Sequence, residues 1–448
     1  MVPPEEWHTY RRDGQLTGRC PLRGNIVQPE VRWKYFLGGS ENECFPVPNS
    51  PGGMDLLFAY GGCVIRRDWK GNTRWTSPSY GINAIGAVED LDGDGKWEIV
   101  ASTGYEIFVL SADDGAVVLR EYVGFPASAG TPANMILCHR FDPAAKGMHL
   151  VVPMMSSKEV RVFDFRSGRE NPPRQSLWMD DAYHPTVAAA DLDNDGVDEL
   201  VVSKLSALYV FDVLTGQMKS SVRWTSNGER HRNYGLLQLI DIDNDGVREA
   251  VVVSDRVARH VSVLRNNGAG DLSLIWDRFV EFIYPSDTTE IRTVGNSLSD
   301  VDGDGKPELI VALFNERKDN RWWVEIIDPL TGTLKHEIAD RYLRGVWDID
   351  GDGICELFVS EEKERQTKPF ARTEILKLKN RIFESVWHHP SAQFAGRSLR
   401  PLGNRSRFRD VAFFPDETWV DVRDDAVCIF LFAEDGDRQR ELLTLETS

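Results

Sequence analysis

Five stretches of this 448-residue sequence repeat one acidic pattern, with aspartate at positions 1, 3 and 5, glycine at position 6 and glutamate at position 9. The acidic residues of these stretches are Asp90, Asp92, Asp94 and Glu98; Asp191, Asp193, Asp195 and Glu199; Asp241, Asp243, Asp245 and Glu249; Asp300, Asp302, Asp304 and Glu308; and Asp348, Asp350, Asp352 and Glu356. In a tight loop, carboxylates at this spacing point to a common centre, and the glycine permits the sharp turn. Oxygen ligands in this number suit Ca²⁺, whose coordination geometry is flexible. The alternative is a solvated acidic turn, but crowded carboxylates repel one another, and the repetition favours about five Ca²⁺ sites.

The residues after each loop indicate which elements must hold it. Position 12, where an EF-hand has its bidentate glutamate, is Ala101, Val202, Val252, Val311 or Val359. Each of these residues lies in an apolar run, so each loop leads into a buried strand. This loop-then-strand pattern resembles the FG-GAP/VCBS repeat, the calcium-loop blade of integrin-type β-propellers. The resemblance implies an all-β fold, a β-propeller of four-stranded blades with Ca²⁺ loops between the first and second strands of most blades.

The spacing of the loops supports a repeated blade. With a sixth, degenerate loop at Asp142 included, the first positions stand 52, 49, 50, 59 and 48 residues apart, and a blade of four short strands takes about 40–50 residues. In the degenerate loop, Ala144 and Lys146 are assigned to positions 3 and 5. The Lys146 ammonium can neutralise Asp142 internally, so we expect no Ca²⁺ in this blade.

The same period defines the domains. We expect residues 1–29 to form an N-terminal arm and residues 30–448 to form one β-propeller domain. Eight blades are favoured, with the strand around Trp33 joining the last blade to close the ring, because closure removes exposed strand edges. Seven blades are the alternative, with the C-terminal stretch capping the ring. Tryptophans recur at strand ends, and we interpret them as packing between blades: Trp75, Trp178, Trp224, Trp276 and Trp387.

The charge balance restricts the partners. A formal net charge of −18 argues against nucleic acid as a partner, and much of the negative charge lies in the acidic loops. No apolar run is long enough to span a membrane, and the first residues show no signal peptide. Because Ca²⁺ loops of this kind suit extracellular calcium levels, we expect a mature or trimmed chain, monomeric, in an extracellular, periplasmic or cell-surface location.

The cysteines add little. We interpret Cys138, Cys355 and Cys428 as core thiols because each lies in an apolar stretch. Cys20 and Cys44, with Cys63, leave a disulfide possible without fixing its pairing.

Basic and aromatic residues precede the first strand of several predicted blades. In integrin-type propellers the face opposite the calcium loops binds ligands, and the resemblance implies that these residues surround a central mouth on that face. The candidate ligand-binding residues are Asn83, Tyr183, Arg232, Arg292 and Arg344, and the candidate catalytic residues are His184, His231, Tyr234 and Tyr342. Arginine binds carboxylate or sulfate through two parallel donors, and tyrosine can stack on sugars, so the set suggests an anionic carbohydrate. The alternative is that these arginines pair with nearby acids such as Asp181, Glu229 and Asp287.

Two function classes follow. The first is a non-catalytic module that recognises a glycan, such as a polysaccharide or glycoconjugate. The second is a polysaccharide lyase acting on a uronate polymer, with an arginine neutralising the carboxylate, histidine as base and tyrosine as acid or base. A glycosidase is less favoured because Glu290 is the main acid among these residues, and the sequence neither supports nor excludes integrin-like adhesion.

Overall fold

The computed structural model describes most of the strands and the loops between them. The described residues are 29–36, 44–49, 53–68, 72–103, 105–123, 136–154, 157–168, 172–180, 186–204, 207–223, 236–254, 260–267, 271–279, 289–294, 297–315, 319–348, 352–361, 373–389, 399–401, 408–413, 426–433 and 440–446. The fold is an all-β propeller arrangement, as the sequence predicts.

Seven antiparallel sheets follow one another along the chain, and each forms a blade. Blade 1 contains β2 (Cys44–Asn49), β3 (Gly53–Tyr60), β4 (Cys63–Asp68) and β5 (Thr73–Thr76). Blade 2 contains β6 (Ala84–Glu89), β7 (Glu98–Ser102), β8 (Glu106–Ser111) and β9 (Val117–Tyr122). Blade 3 contains β10 (Leu137–His139), β11 (His149–Pro153), β12 (Glu159–Asp164), the 3₁₀ turn Phe165–Ser167 and β13 (Arg174–Trp178). Blade 4 contains β14 (Thr186–Ala190), β15 (Glu199–Lys204), β16 (Ala207–Asp212) and β17 (Gln217–Arg223).

The remaining blades repeat this order. Blade 5 contains β18 (Leu236–Ile240), β19 (Glu249–Ser254), β20 (His260–Asn266) and β21 (Leu272–Phe279). Blade 6 has its first strand in two segments, β22 (Thr289–Arg292) and β23 (Leu298–Ser299), followed by β24 (Glu308–Asn315), β25 (Arg321–Ile327) and β26 (Leu334–Ala339). Blade 7 contains β27 (Arg341–Trp347), β28 (Glu356–Glu361), β29 (Thr373–Lys379) and β30 (Ile382–His389).

The C-terminal stretch forms an eighth sheet, which we name the C-terminal sheet. Its strands are β31 (Leu399–Pro401), β32 (Phe408–Phe413), β33 (Ala426–Ala433) and β34 (Arg440–Glu446), with β1 (Pro29–Phe36) added in parallel to β34. Val31 pairs with Leu442 in this ladder. The prediction that the N-terminal strand joins the last sheet is therefore confirmed, whereas the blade count fits the alternative of seven and not the favoured eight.

Apolar side chains hold successive blades together. Six buried clusters each combine residues from two neighbouring blades, from blades 1 and 2 through to blades 6 and 7. The cluster between blades 1 and 2, for example, contains Phe45 and Phe108, both without solvent exposure. The second strands are buried along most of their length because sheets pack on both of their faces.

The outer strand of a blade also contacts the turn of the next blade. The Trp75 indole Nε1 donates to the Ala112 carbonyl at 3.0 Å, and Trp276 Nε1 donates to the Pro329 carbonyl at 2.8 Å. For these two tryptophans, packing between blades is confirmed. For Trp178 the prediction is wrong, because its side chain is 62% exposed. Trp224 lies outside the described residues.

The Trp276 contact needs a glycine in the facing turn, which gives a stability prediction. Gly332 has φ +71°, and an added Cβ would lie 3.2 Å from the Trp276 ring. Gly332→Val should therefore lower the free energy of unfolding by about 2 kcal/mol or more, from left-handed strain plus the displaced ring. Chemical denaturation measures it.

Gly81→Val is the matched control, because Gly81 has φ +78° but nothing within 4 Å of its Cβ position. An equal loss in both variants would mean that the Trp276 contact contributes nothing.

Two further features complete the fold. Among the described residues no helix has the length and apolar character needed to cross a membrane. Cys63, Cys138 and Cys355 form no disulfide in this structure. Cys138 is buried as predicted, and burial raises the pKa of its thiol.

Candidate metal centres

Each acidic loop joins the first strand of a blade to the second, as predicted, and in the four loops that the structure describes in full the backbone bends twice. In blade 2 the bends are at Gly93 and Gly95, with φ of 75° and 90°. In blade 4 they are at Asn194 and Gly196, with φ of 60° and 87°. Glycine and asparagine tolerate this left-handed conformation, which explains why positions 4 and 6 carry them.

A geometry shared by the loops fixes the position-1 carboxylate. In all five loops the position-6 amide donates to this carboxylate, in the pairs Gly95–Asp90 (2.9 Å), Gly196–Asp191 (3.0 Å), Gly246–Asp241 (2.8 Å), Gly305–Asp300 (2.9 Å) and Gly353–Asp348 (3.0 Å). The bond occupies one oxygen, Oδ2. The second oxygen can then point into the loop.

The position-9 glutamates close the loops from the start of the second strand. All five are buried: Glu98, Glu199, Glu249, Glu308 and Glu356. In four loops one carboxylate oxygen accepts the position-2 amide, in the pairs Leu91–Glu98 (3.0 Å), Leu192–Glu199 (2.8 Å), Ile242–Glu249 (3.2 Å) and Val301–Glu308 (3.0 Å). In Glu199 and Glu308 the other oxygen, Oε1, accepts from the ammonium group of Lys219 (2.5 Å) or Lys335 (2.7 Å).

The carboxylate oxygens converge. In four loops, one oxygen from each of three acids lies within 4.8 Å of the others, in the sets Asp90–Asp92–Asp94, Asp191–Asp193–Glu199, Asp241–Asp243–Glu249 and Asp300–Asp302–Asp304. Buried oxygens without a hydrogen-bond partner occur on Asp90, Asp191, Asp193, Asp243 and Glu249. Unpaired buried anionic oxygens are costly, so these donor sets fit a hard cation such as Ca²⁺. In the fifth loop Asp350 lies outside the described residues.

The electrostatics of the loops reflect this crowding. Burial raises the pKa of Glu249 to about 7, and the neighbouring charges of Asp243 and Asp245 add to the shift. Burial also raises the pKa of Glu199 and of Glu308. The loops therefore hold more negative charge than their surroundings stabilise.

Blade 3 departs from the pattern and corrects one assignment. His139 pairs with His149, as Ala190 pairs with Glu199 in blade 4. Buried Phe141 then corresponds to Leu192 at position 2, so Arg140 holds position 1 and Asp142 holds position 3. The assignment of Asp142 to position 1 was wrong because it followed residue type and not strand pairing.

The cation that reaches Asp142 also differs from the expected one. Arg166 Nη1 lies 3.1 Å from the Asp142 carboxylate, whereas Lys146 is exposed. The blade 3 loop is one residue longer than the others, and His149 stands at the start of the second strand, where the other loops have glutamate. With Arg140 and His149 replacing two acids, this loop offers a poor donor set for a cation.

Three aromatic rings contact one another edge-on next to the blade 3 loop. Phe141 packs edge-on against His139 (4.8 Å between centroids) and against His149 (5.5 Å). His139 Nε2 lies 2.6 Å from Asp198 in the blade 4 loop. Burial lowers the pKa of His149 to about 4, with Arg166 and His139 acting in the same direction.

The candidate mouth residues are only partly described. Tyr183, His184, His231, Arg232 and Tyr234 lie outside the described residues, and of Arg292 only the backbone is described. Asn83 is exposed, next to the first strand of blade 2.

The structure brings Tyr342 and Arg344 together. The Arg344 guanidinium carbon lies 4.3 Å from the Tyr342 ring centroid, and its Nε donates to Ser360 Oγ at 2.9 Å. Tyr342 in turn packs edge-on against Trp322. Arg344 is only 5% exposed, so this cluster contributes to the packing between blades 6 and 7. Arg341, which begins the first strand of blade 7, pairs with Glu374 at 2.6 Å.

Three aromatic residues are exposed that the sequence did not predict as surface residues, since Trp178 was interpreted as packing and the two tyrosines were not singled out. Tyr105, Tyr122 and Trp178 are 46%, 58% and 62% exposed. Tyr122 pairs with Glu106 and Trp178 pairs with Glu159, at the strand ends away from the acidic loops. These aromatics therefore lie on the face opposite the loops, which we name the opposite face. The residue of blade 3 that corresponds to Trp75 is Gln175, because its side chain makes the same contact with the next blade. Trp178 lies three residues further along the strand, and this difference in position is what distinguishes it from Trp75.

Comparisons with known proteins agree with the fold. A family model described as an FG-GAP-like repeat matches residues 241–311. The chain has no match among curated protein sequences. Saccharomyces cerevisiae Sqt1 is similar in structure, with a TM-score of 0.53, 10% identity, and coverage of 95% of this chain and 100% of that chain. This likeness supports the fold alone.

Two other solved structures are less similar. A complex of BBS1N with ARL6DN has a TM-score of 0.46 at 12% identity, covering 79% of this chain and 92% of that chain. An Agrocybe aegerita lectin that recognises terminal N-acetylglucosamine has a TM-score of 0.43 at 14% identity, covering 80% and 91%. The residues matched by the family model include the Asp241 and Asp300 loops, so the predicted resemblance is confirmed there: residues 241–311 carry an FG-GAP-like repeat.

Proposed function

We propose that this chain is a calcium-stabilised β-propeller that recognises a glycan, with anionic polysaccharide as the favoured class. The observation that carries the proposal is the separation of two surfaces. Acidic loops with converging oxygens lie at one end of the strands, and exposed aromatics lie at the other. The first surface suits a structural cation and leaves the second for recognition.

The calcium part rests on the acids at positions 1, 3, 5 and 9. These residues would hold the ion between the end of the first strand and the start of the second. Bound there, Ca²⁺ supplies positive charge and shared coordination across the two strand ends. Because the ion binds the folded loop, it stabilises the folded state by mass action.

The glycan part rests on the opposite face. Tyr122 and Trp178 present rings that can stack on sugars. Between their strands, Arg161 Nη1 donates to the Tyr122 carbonyl at 2.9 Å and to Glu121 at 2.9 Å. The arrangement combines aromatic surface with fixed polar groups.

The location follows from the cation. Calcium at the level of extracellular fluid saturates loops of moderate affinity. We therefore place the protein in an extracellular, periplasmic or cell-surface setting.

Glycan binding tests the proposal. Full-length protein in calcium should bind at least one acidic polysaccharide in a panel of acidic and neutral glycans. Trp178→Ala and Tyr122→Ala should each weaken that binding by roughly tenfold, since each removes a stacking surface. Microcalorimetry or a glycan array measures the change, and absorbance of unsaturated uronates in the same samples tests the lyase alternative.

The control is Ile382→Ala, which removes an exposed apolar side chain from the loop end of blade 7. His231→Ala combined with Arg232→Ala separates the mouth from the aromatic patch. If no glycan in the panel binds, the recognition proposal is wrong.

A further inference from the structure

The loops of blades 2 and 3 pack directly against each other. Gly93, at position 4 of the Asp90 loop, has φ +75°, and a Cβ added to it would lie 2.7 Å from Lys146 Cβ, 2.8 Å from the Lys146 carbonyl carbon and 2.9 Å from its oxygen. The last two atoms belong to the backbone, which cannot move aside as the end of a side chain can. Position 4 of the Asp90 loop therefore lies against a fixed surface of blade 3, and this close approach requires glycine.

A chain of backbone hydrogen bonds continues this contact into blade 3. The Leu91 amide donates to Glu98 Oε2 at 3.0 Å. The Leu91 carbonyl accepts the Met148 amide at 2.7 Å, and the Met148 carbonyl accepts the Phe165 amide at 2.9 Å. All three apolar residues belong to one buried cluster. The glutamate that closes the Asp90 loop is thus connected, through Leu91 and Met148, to the 3₁₀ turn Phe165–Ser167.

Ion pairs hold that turn against the blade 3 loop, residues 140–148. Arg166 donates to both carboxylate oxygens of Asp164, at 2.8 and 2.7 Å, and its Nη1 donates to Asp142 in the loop at 3.1 Å. Gly147 permits the close fit, because a Cβ added to it would lie 2.7 Å from Arg166 Cα and 2.8 Å from the Phe165 carbonyl oxygen. One guanidinium therefore joins the loop to the turn of its own blade by charge-assisted hydrogen bonds, a link that needs no metal ion.

We propose that the blade 3 loop is a metal-free brace for the calcium site of the Asp90 loop, with Arg166 as its positioning residue. This inference rests on the proposed calcium binding, which Asp90 Oδ1 supports locally, since that oxygen is buried and has no hydrogen-bond partner. The physical basis is that groups outside the ligand shell of a metal orient the ligands. Because the brace holds position 4 and Glu98 in place, the Asp90 loop loses less conformational freedom when it binds the ion.

Blade 3 combines the shape of an acidic loop with a donor set that is poor for a cation. Arg140 and His149 replace two acids, but Phe141 is buried at position 2 and the Met148 amide reaches the neighbouring blade. A loop held by its own ion pairs stays in place at any calcium concentration. It can therefore support a neighbouring loop that has yet to bind its ion.

Bracing and charge predict opposite effects for one substitution. If the Arg166 guanidinium acts only through its charge, removing that charge should strengthen the binding of a nearby cation. If it positions the brace, its removal should weaken that binding. A purely structural role would lower the unfolding temperature in chelator and leave the calcium affinity as it was. The sign of the change in affinity therefore separates the three roles.

Calcium titration calorimetry of the full, chelator-treated chain tests the proposal. The binding event of the Asp90 loop is identified by its loss in Asp92→Asn, which removes a ligand from this loop alone. Arg166→Gln should weaken that event by about tenfold, the usual size of an effect from outside the ligand shell. Arg166→Lys, which keeps the charge but not the fork of donors, should restore part of the affinity.

Gly93→Asn tests the same contact from the side of blade 2. Asparagine adopts this backbone at position 4 of blades 4 and 5, where Asn194 and Asn244 have φ of 60° and 62°. At position 93, however, its Cβ would meet the Lys146 backbone. The calcium event of the Asp90 loop should again weaken by about tenfold.

Gly303→Asn is the matched control. Gly303 holds position 4 of the blade 6 loop with φ +82°, and an added Cβ would meet only the side chain of Ile354, 2.8 Å from its Cδ1. Because the end of that side chain can move, Gly303→Asn should bind calcium as the parent does. An equal loss in Gly303→Asn and Gly93→Asn would show that the Lys146 contact is not the cause, and the brace would be wrong.

Two further outcomes are decisive. Unchanged or tighter calcium binding in both Arg166→Gln and Gly93→Asn would overturn the brace while calcium binding stands. If the parent takes up no calcium, the brace and the proposed calcium binding fall together. Melting curves in chelator show whether each variant folds, and Arg166→Gln decides the question if Gly93→Asn does not.

Discussion

Calcium added to the chelator-treated protein should raise its unfolding temperature. The rise should be larger than the change in unfolding temperature caused by any single substitution in the acidic loops. A site with a dissociation constant near 10 µM adds about 2.7 kcal/mol at about 1 mM free calcium, and five loops carry the acidic pattern. The gain arises because the folded loops bring together oxygens that the unfolded chain keeps apart. Differential scanning calorimetry with and without calcium measures it.

Magnesium at the same concentration is the control, because its stricter octahedral geometry and reluctance to lose water make these loops poor sites for it. Glu98→Gln should reduce the calcium effect by roughly one site's share. An unfolding temperature that does not change with calcium would contradict the account.

Acid should destabilise blade 3 through His149. The side chain is 2% exposed, and its folded pKa of about 4 lies below the ordinary value of 6.5. The folded state therefore disfavours the protonated ring, so stability is full above pH 6.5 and falls as the pH drops towards 4. Over this window the free energy of unfolding should fall by about 3 kcal/mol. The measurement is chemical denaturation of the parent and of His149→Gln at each pH, and the difference between the two gives the contribution of His149.

The comparison needs a matched histidine. His388 is exposed on the outer strand of blade 7, and His388→Gln should leave the slope of stability against pH as in the parent. If His149→Gln keeps the full acid slope, the buried ring is not its cause.

The repeated loops were predictable because their chemistry is local. Aspartate at alternate positions, a glycine for the bend and a glutamate before an apolar run specify the turn, its ligands and the strand that follows. The period then places the blades. Strand β1 could be assigned to the last sheet because it precedes the first repeat, and pairing with the last sheet closes the ring.

Features that depend on strand pairing were not predictable. Asp142 was aligned by its acidic type, although buried Phe141 is the better anchor because position 2 is apolar in the other loops. Lys219 and Lys335 contact acids far away in sequence through a bulge, and a bulge is visible only in the pairing of two strands. Trp178 was grouped with Trp75 by residue type, while its register places it at the exposed end of its strand.

Long-wavelength anomalous diffraction from crystals grown in calcium tests the central claim most directly. The account predicts calcium peaks inside the acidic loops, at about 2.3–2.6 Å from the carboxylate oxygens. A map without an anomalous peak in any of these loops, from crystals kept in calcium, would contradict it.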